Sequence, residues 1–340
     1  KNRQASTHRF GENTGIRIMK ICIVGAGATG GYLGVKLINA GLDVSLVARG
    51  AHLAAMKKKG LILRENGKET TCLPKCSDTM EELGKMDFIF ITLKAYSING
   101  LAKEISTMFH ENTSVISAYN GIPWWYFFGT EGQFKNYRIK CIDPENIQWN
   151  VITPERIIGC VVYPATEIIE PGVIKHIEGN RFSLGEPSGL QSERILRISK
   201  AMASADLKAP VRKNIRQEIW MKLIGNLAFN PLSVITGETL DVLLLNEVNK
   251  IKAYDAMKEA SSIMDKLNVP LSVSIDQRIE GAAKVGSHKT SMLQDYEKGK
   301  ELELDALVVA VKEIADLLDI KTPTIDKILH TVKEKISKNN

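Results

Sequence analysis

Cysteine is scarce in this 340-residue sequence, and its pattern excludes two protein classes. The five cysteines are an odd number scattered along the chain, which argues against the disulfide framework of a secreted protein and favours reduced thiols. Cys72 and Cys76 lie close together, but neither a second cysteine pair nor a histidine pair at metal-ligand spacing accompanies them. We therefore expect a cytoplasmic protein without a metal site.

Long apolar runs and blocks of like charge are also missing. No apolar run approaches the roughly 18 to 20 residues of a membrane helix, so no membrane association is expected. The 45 basic and 39 acidic side chains give a net charge of +6. Apart from Lys57-Lys58-Lys59 the basic residues are dispersed, which argues against nucleic acid as a partner.

The first 18 residues differ from the rest of the chain. They are polar, carry no apolar stretch of the signal-peptide kind, and precede Met19, where a strand pattern begins at once. We expect residues 1–18 to be a tag or leader without fixed structure.

Residues 19–207 have the alternation of an α/β domain. Strand-like 20–24 and 43–47 alternate with helical 30–40 and 51–59. Asn66-Gly67 predicts a hairpin, and the apolar run 87–93 is typical of a central parallel strand. A further helix is expected from about residue 97 to 109, and the remaining strands of the sheet are expected at 114–118, 157–163, 173–177 and 181–184. The prediction is a Rossmann-type doubly wound sheet.

Residues 208–340 have a different sequence pattern. Strand-like alternation disappears, and the amphipathic pattern predicts five helices. They are expected at 213–230, 246–267, 273–285, 299–318 and 324–336. We expect an all-helical domain packed against the sheet domain, with a cleft between them. An exposed apolar face on one of the late helices would favour a homodimer.

The first strand leads directly into a glycine loop, Gly25-Ala26-Gly27-Ala28-Thr29-Gly30. Gly25 would permit the tight turn, Gly27 would let the backbone approach a pyrophosphate, and Gly30 would let helix and strand pack closely. Ala28 and Thr29 would open the helix whose N-terminus faces the phosphate oxygens. The glycines alone could be a tight βα turn, but a strand, a helix and a second strand at this spacing favour dinucleotide binding.

Arg49 follows the second strand, where an enzyme specific for NAD would carry an acid that binds the ribose hydroxyls. A guanidinium at this position can contact a 2′-phosphate in bidentate fashion, whereas a carboxylate would repel it. The sequence therefore favours NADP(H). The alternative is that Arg49 is an ordinary surface loop residue.

Lys222, Asn226 and Asn230 recur at steps of four in a helical segment and share one face. Their neighbours are mostly apolar, so an enclosed polar stripe is expected, and an oxygen-rich substrate could supply its partner. Equally, Lys222 could pair with a nearby carboxylate while the asparagines cap or solvate the helix. A second candidate stretch is 291–295, followed by the acidic residues of 301–305. Without further information, we interpret these acids as surface charge at the start of a helix.

Several of these segments occur together in one order: the glycine loop, Leu93-Lys94-Ala95, Asn120-Gly121, the Lys222 helix with Asn230-Pro231-Leu232, and Ser291-Met292-Leu293-Gln294-Asp295. In combination, from Met19 to about residue 335, they resemble the ketopantoate reductase family. The glycine loop is generic, but the Lys222 helix and the Ser-Met-Leu-Gln-Asp segment are specific to that family.

This resemblance implies the NADPH-dependent reduction of 2-dehydropantoate to (R)-pantoate, on the way to pantothenate and coenzyme A. Lys222 would be the general acid, charged at neutral pH because an unperturbed lysine has a pKa near 10.4. The resemblance also implies substrate binding by Asn120, Asn226, Asn230 and Ser291, with Ser291 binding the carboxylate. Glu303 would be an acid of the catalytic and cofactor site. Lys94 and Asn120 would contact the cofactor, and Arg49 would bind its 2′-phosphate.

One stretch does not fit a compact form of that family. Residues 122–156 begin with the aromatic cluster Trp124-Trp125-Tyr126-Phe127-Phe128 and continue as a long polar segment. We interpret the cluster as local core rather than a substrate wall. If it reached the cleft, a bulkier 2-oxo acid would be the substrate. A third possibility is a non-catalytic NADP(H)-sensing protein, against which the filled positions of Lys222, Ser291 and Glu303 count.

Overall fold

A computed structural model describes residues 18–338, so the leader expected at 1–18 lies outside the described residues except for Ile18. Eleven strands are present within that range: β1 Lys20–Val24, β2 Asp43–Val47, β3 Leu61–Glu65, β4 Lys68–Cys72, β5 Lys75–Ser77, β6 Met86–Ile91, β7 Phe109–Ser117, β8 Ile157–Val162, β9 Ala165–Glu170, β10 Val173–Glu178 and β11 Phe182–Gly185. The α-helices there are α1 Ala28–Asn39, α2 Gly50–Lys59, α3 Ile98–Ser106, α4 Ile147–Val151, α5 Glu193–Ser204, α6 Ile215–Thr236, α7 Leu240–Leu245, α8 Glu247–Lys266, α9 Ile275–Lys284, α10 Ser291–Glu297, α11 Ala310–Leu317 and α12 Pro323–Ser337.

The main sheet has seven strands in the order β11-β8-β7-β6-β1-β2-β5, all parallel except β11. Its central strands are mostly apolar because both faces are covered: β1 is buried from Ile21 to Val24, and every residue of β6 is buried. The chain order reverses beside β1, so the crevice at its carboxyl end is a topological switch point. The Rossmann-type α/β prediction is confirmed.

The prediction of one continuous sheet was wrong. The Asn66-Gly67 hairpin forms as expected, with φ of 50° and 73°, but it belongs to a second sheet in the order β4-β3-β10-β9. Neither β5 nor β9 was predicted. The first has only three residues, and the second is a half-exposed edge strand whose polar and apolar residues do not alternate clearly.

The C-terminal part of the chain is helical, as expected, and is built around α6. This helix continues through Pro231 to Thr236, beyond the expected end at residue 230. Proline removes one backbone donor but its fixed φ suits a helix, and here the flanking turns are buried. Helices α8, α10 and α12 pack on α6. No helix within residues 18–338 is long and apolar enough to cross a membrane.

Other helix boundaries differ from the prediction. Helices α5, α7 and α10 were not predicted, and the helix expected at 299–318 begins only at Asp305. Its first turn, Asp305–Val309, is π-helical and leads into α11. The acidic residues before Asp305 therefore do not lie at an exposed helix start.

The aromatic cluster at 124–128 lies between the two parts of the molecule. Trp124, Trp125, Tyr126 and Phe127 are buried. The indole of Trp125 donates to the Ser117 hydroxyl of β7 at 3.0 Å, and the indole of Trp220 on α6 donates to the Tyr126 hydroxyl at 2.7 Å. The cluster is core, as interpreted from the sequence, and it attaches α6 to the sheet.

Candidate active site at the carboxyl edge of the sheet

The sheet register places the predicted cofactor residues at one edge. Val24 pairs with Val47 and with Ile91, and Ile91 pairs with Ser117. The residues that follow these strands are the glycine loop, Arg49, Lys94 and Asn120. Because parallel strands end at a common edge, all of them border the same crevice.

The glycine loop has the geometry of an anion cradle. Gly25 has a φ of +101°, which strongly favours glycine. A Cβ at Gly30 would collide with the Gly25 carbonyl, whereas one at Gly27 would meet nothing within 4 Å. Helix α1 begins at Ala28, with no side-chain cap and no acidic residue in its first turn, which contains Thr29. Its free N–H groups and positive dipole end suit a pyrophosphate.

Thr92 supports this loop and was not identified from the sequence. Its hydroxyl lies 2.7 Å from the Gly25 carbonyl and 3.2 Å from the Val24 carbonyl. The signal that could have revealed it is a hydroxyl residue directly after the apolar run of β6. The contact fixes the turn between β1 and α1.

Arg49 is exposed at the end of β2, immediately before α2. Among residues 18–338 its guanidinium forms no ion pair. It is available to an anion at the crevice, as the prediction of a 2′-phosphate contact requires.

Lys222 reaches from α6 to the carboxyl ends of two strands. Its ammonium donates to the Asn120 Oδ1 atom at 2.8 Å and to the carbonyl of Val162 at the end of β8. It forms no ion pair within the described range, so the alternative of a carboxylate partner does not apply. Burial lowers the pKa of Lys222 to about 8, a shift that the charge of Glu303 partly opposes. The expectation of an ordinary pKa near 10.4 was therefore wrong, because the amine is largely removed from water.

The asparagines of the same helix face are enclosed. Asn226 borders a small cavity together with Lys222 and Asn120, and Asn230 is buried. The cavity also has apolar walls from β8 and α6. The residues of the cluster 124–128 do not border it.

Lys94 joins the sheet part to the helical part. Its ammonium lies 2.6 Å from Glu303 Oε2 and 2.9 Å from Asp295 Oδ2. Burial disfavours its charge, but the two carboxylates outweigh this and raise the pKa of Lys94. Glu303 is buried, so the default reading of a surface charge was wrong. Both acids belong to the helical part, and Lys94 holds them against the crevice.

The Asn120-Gly121 turn is pressed against the same region. Gly121 has a φ of +90°, and a Cβ there would collide with the Ala306 carbonyl. The Ile122 amide donates to that carbonyl at 2.9 Å. This close approach places Asn120 beside the segment that carries Glu303.

Ser291 is the first residue of α10 and is exposed. Thr290 caps the helix by accepting a hydrogen bond from the Leu293 amide at 3.1 Å. Ser291 lies one turn before Asp295 and so shares its helix face. The structure does not bring its hydroxyl into contact with Lys222.

Two family models match most of the chain. Residues 21–189 match the family described as "Ketopantoate reductase PanE/ApbA", and residues 214–336 match its C-terminal region. A protein of Mesorhizobium japonicum named 2-dehydropantoate 2-reductase is 49% identical over 316 residues, which are 93% of this chain and 97% of that protein.

Solved structures give the same relationship. A Ralstonia solanacearum protein assigned as a ketopantoate reductase superposes with a TM-score of 0.90 at 36% identity, covering 94% of this chain and 98% of the other. A D-mandelate dehydrogenase solved with NADH and anilino(oxo)acetate gives a TM-score of 0.80 at 21% identity, with 94% and 99% coverage. At that identity the second likeness concerns the fold alone.

Proposed function

Because the chain belongs to the ketopantoate reductase family, and is thus an oxidoreductase, we propose that it reduces 2-dehydropantoate to (R)-pantoate with NADPH, in pantothenate and coenzyme A biosynthesis. The observation that carries the proposal is the Lys222 ammonium, which Asn120 holds at 2.8 Å in the crevice at the carboxyl edge of the sheet. A proton donor in this place is what the reduction of a ketone requires.

The crevice fits a dinucleotide. The backbone of Gly25, Gly27 and Gly30 and the first turn of α1, with Ala28 and Thr29, would hold the pyrophosphate, and the open space at Gly27 gives it room. The guanidinium of Arg49 would bind a 2′-phosphate and so select NADPH over NADH. When bound, the nicotinamide supplies a hydride to the ketone carbon.

The ammonium of Lys222 stabilises the negative charge that develops on the ketone oxygen during reduction. It also delivers the proton that completes the alcohol. A pKa of about 8 is suited to this role, because a general acid works best when its pKa lies near the operating pH.

The other residues orient the substrate and the acid. Asn226 and Asn230, on the same face of α6, would bind substrate oxygens, and Ser291 would donate to the carboxylate. Glu303 opposes the loss of the Lys222 charge and fixes Lys94 at 2.6 Å. Glu303, Lys94 and Asn120 would border both substrate and cofactor.

The test is NADPH oxidation by the purified protein with 2-dehydropantoate, with NADH as cofactor control and a panel of bulkier 2-oxo acids beside it. We expect rapid turnover of 2-dehydropantoate with NADPH and slow turnover with NADH. Turnover only on a bulkier acid would replace the substrate. Tight NADPH binding without turnover of any acid would indicate a non-catalytic sensor.

A further inference from the structure

Cations gather around the phenol ring of Tyr163, just beyond the end of β8. The Arg181 guanidinium carbon lies 3.7 Å from the ring centroid, and the Lys222 ammonium lies 5.7 Å from it. Arg278 of α9 is close enough for its charge to act on the Tyr163 hydroxyl. This group of charges adjoins the proposed proton donor.

Two other cations in this region already have carboxylate partners. Lys94 has its two carboxylates, and Arg212 Nε lies 3.1 Å from Glu218 Oε1. The Tyr163 hydroxyl donates to the other oxygen of Glu218 at 3.0 Å. Within residues 18–338, neither Arg181 nor Arg278 forms an ion pair with any acid.

Arg278 is held in place without being neutralised. It is part-buried, and its Nη2 donates to the backbone carbonyl of Met221 on α6. A Cβ at Gly225 would lie 3.2 Å from Nη2, so the missing side chain gives the guanidinium room against the helix. Gly225 stands between Lys222 and Asn226 in the sequence of α6. Burial lowers the pKa of Arg278, as expected for a cation without a compensating charge.

A part-buried cation without an anion is costly, and a bound carboxylate would offset that cost. The planar guanidinium can grip a carboxylate through two parallel hydrogen bonds. A 2-oxo acid carries its carboxylate next to the ketone that Lys222 would serve. The neutral hydroxyl of Ser291 can donate to that carboxylate but cannot balance its charge.

We propose that Arg278 binds the carboxylate of the substrate and so determines the preference of this enzyme for 2-oxo acids over neutral ketones. The inference rests on the proposed function, in which the crevice beside Lys222 accepts a 2-oxo acid. It adds a residue on α9 to the asparagines of α6 and the serine of α10.

The test compares wild type, Arg278→Met and the control Arg197→Met, which removes an exposed guanidinium on α5. Each is assayed with NADPH against 2-dehydropantoate and against its neutral lactone. For Arg278→Met we expect the KM of the acid to rise about 10- to 100-fold, the range of a lost charged hydrogen bond. The KM for NADPH and any turnover of the lactone should stay within about twofold of wild type, and Arg197→Met should match wild type. Equal losses for acid and lactone would overturn the proposal, because they would mean that Arg278 only supports α6.

Binding of oxamate, an unreactive 2-oxo acid mimic, to the NADPH-loaded protein gives a second readout that does not depend on turnover. Arg278→Met should weaken oxamate binding by the same factor, and Arg278→Lys, which keeps the charge and replaces the methionine variant if that does not fold, should lose less than tenfold. A wild type that binds oxamate but turns over no 2-oxo acid would refute the proposed reaction while supporting the anion site. Absent oxamate binding, or unchanged binding in both variants, would refute the anion site.

Discussion

Lys222 derives its chemistry from its surroundings. In water a lysine is a poor proton donor at neutral pH because its pKa is near 10.4, whereas enclosure between α6 and β8 lowers the pKa of this one to about 8. Sequence spacing was enough to place Lys222, Asn226 and Asn230 on one enclosed face. It could not give the pKa, because the pKa depends on the burial of the amine and on the charge of Glu303, which is distant in sequence and approaches the amine only in the fold.

The pH dependence of turnover follows from that value. Lys222 must be protonated to donate, so kcat should be constant below its pKa and fall about tenfold per pH unit above about 8. Asn120→Leu removes an acceptor that favours the charged amine, and its alkaline limb should move to lower pH. The measurement is kcat from pH 6 to 10 under saturating NADPH and substrate. A rate that stays constant to pH 10 would exclude Lys222 as the proton donor.

Arg49 should set the cofactor preference. Arg49→Gln removes the cation available to a 2′-phosphate, so the KM for NADPH should rise about 10- to 100-fold while that for NADH stays within about twofold. Steady-state kinetics with both cofactors check this. The matched control is Lys58→Gln, an exposed cation of the neighbouring helix α2, which should leave both values unchanged. Equal changes for the two cofactors would argue against a 2′-phosphate contact.

At the scale of elements, the turn from β1 to α1 separates two roles that glycine can have. Gly30 has no room for a side chain, and Gly27 has ample room. Gly30→Ala should therefore destabilise the fold by about 1–3 kcal/mol through overpacking. Gly27→Ala should leave the stability nearly unchanged while weakening NADPH binding, because the methyl group occupies space intended for the pyrophosphate.

Thermal unfolding and a fluorescence titration with NADPH distinguish these outcomes for the glycine pair. Wild-type NADPH affinity in Gly27→Ala would contradict the assigned position of the cofactor. Wild-type stability in Gly30→Ala would contradict the close packing of α1 against the loop.

Periodicity predicted the long elements well and the irregular ones poorly. The strands β1, β2 and β6 and the helices α8, α9 and α12 lie within about two residues of their expected bounds. The edge strand β9 and the π-helical turn at Asp305–Val309 depend on tertiary contacts, which a local pattern does not encode. The Ala306 carbonyl, for example, accepts from the Ile122 amide in the sheet part.

Across the whole molecule, Lys94 connects the sheet part to two acids of the helical part. The sequence did not reveal that these acids are enclosed, because Glu303 lies in the acidic stretch 301–305, which has the pattern of a surface-exposed helix start, and Asp295 is followed by the charged residues Glu297 and Lys298. Family resemblance assigned Glu303 to the site, and the structure supplies the physical reason: its charge acts on both Lys94 and Lys222. The division of the chain at 207 and 208 remains a prediction.

Glu303→Gln tests this coupling. Removing the carboxylate takes away a charge that raises the pKa of Lys222, so the alkaline limb of kcat should shift to lower pH. Glu301→Gln is the matched control, because Glu301 is exposed two residues away, and its profile should match wild type. If circular dichroism shows that Glu303→Gln is folded and its alkaline limb of kcat is unshifted, Glu303 does not raise the pKa of the proton donor.

The role of Lys222 as proton donor is tested by comparing wild type with Lys222→Ala in NADPH oxidation with 2-dehydropantoate and by measuring the NADPH dissociation constant of each. We expect kcat to fall about 10²- to 10⁴-fold, the usual contribution of a general acid, while NADPH affinity changes less than about threefold. Turnover by Lys222→Ala within a few-fold of wild type would show that Lys222 is not the general acid.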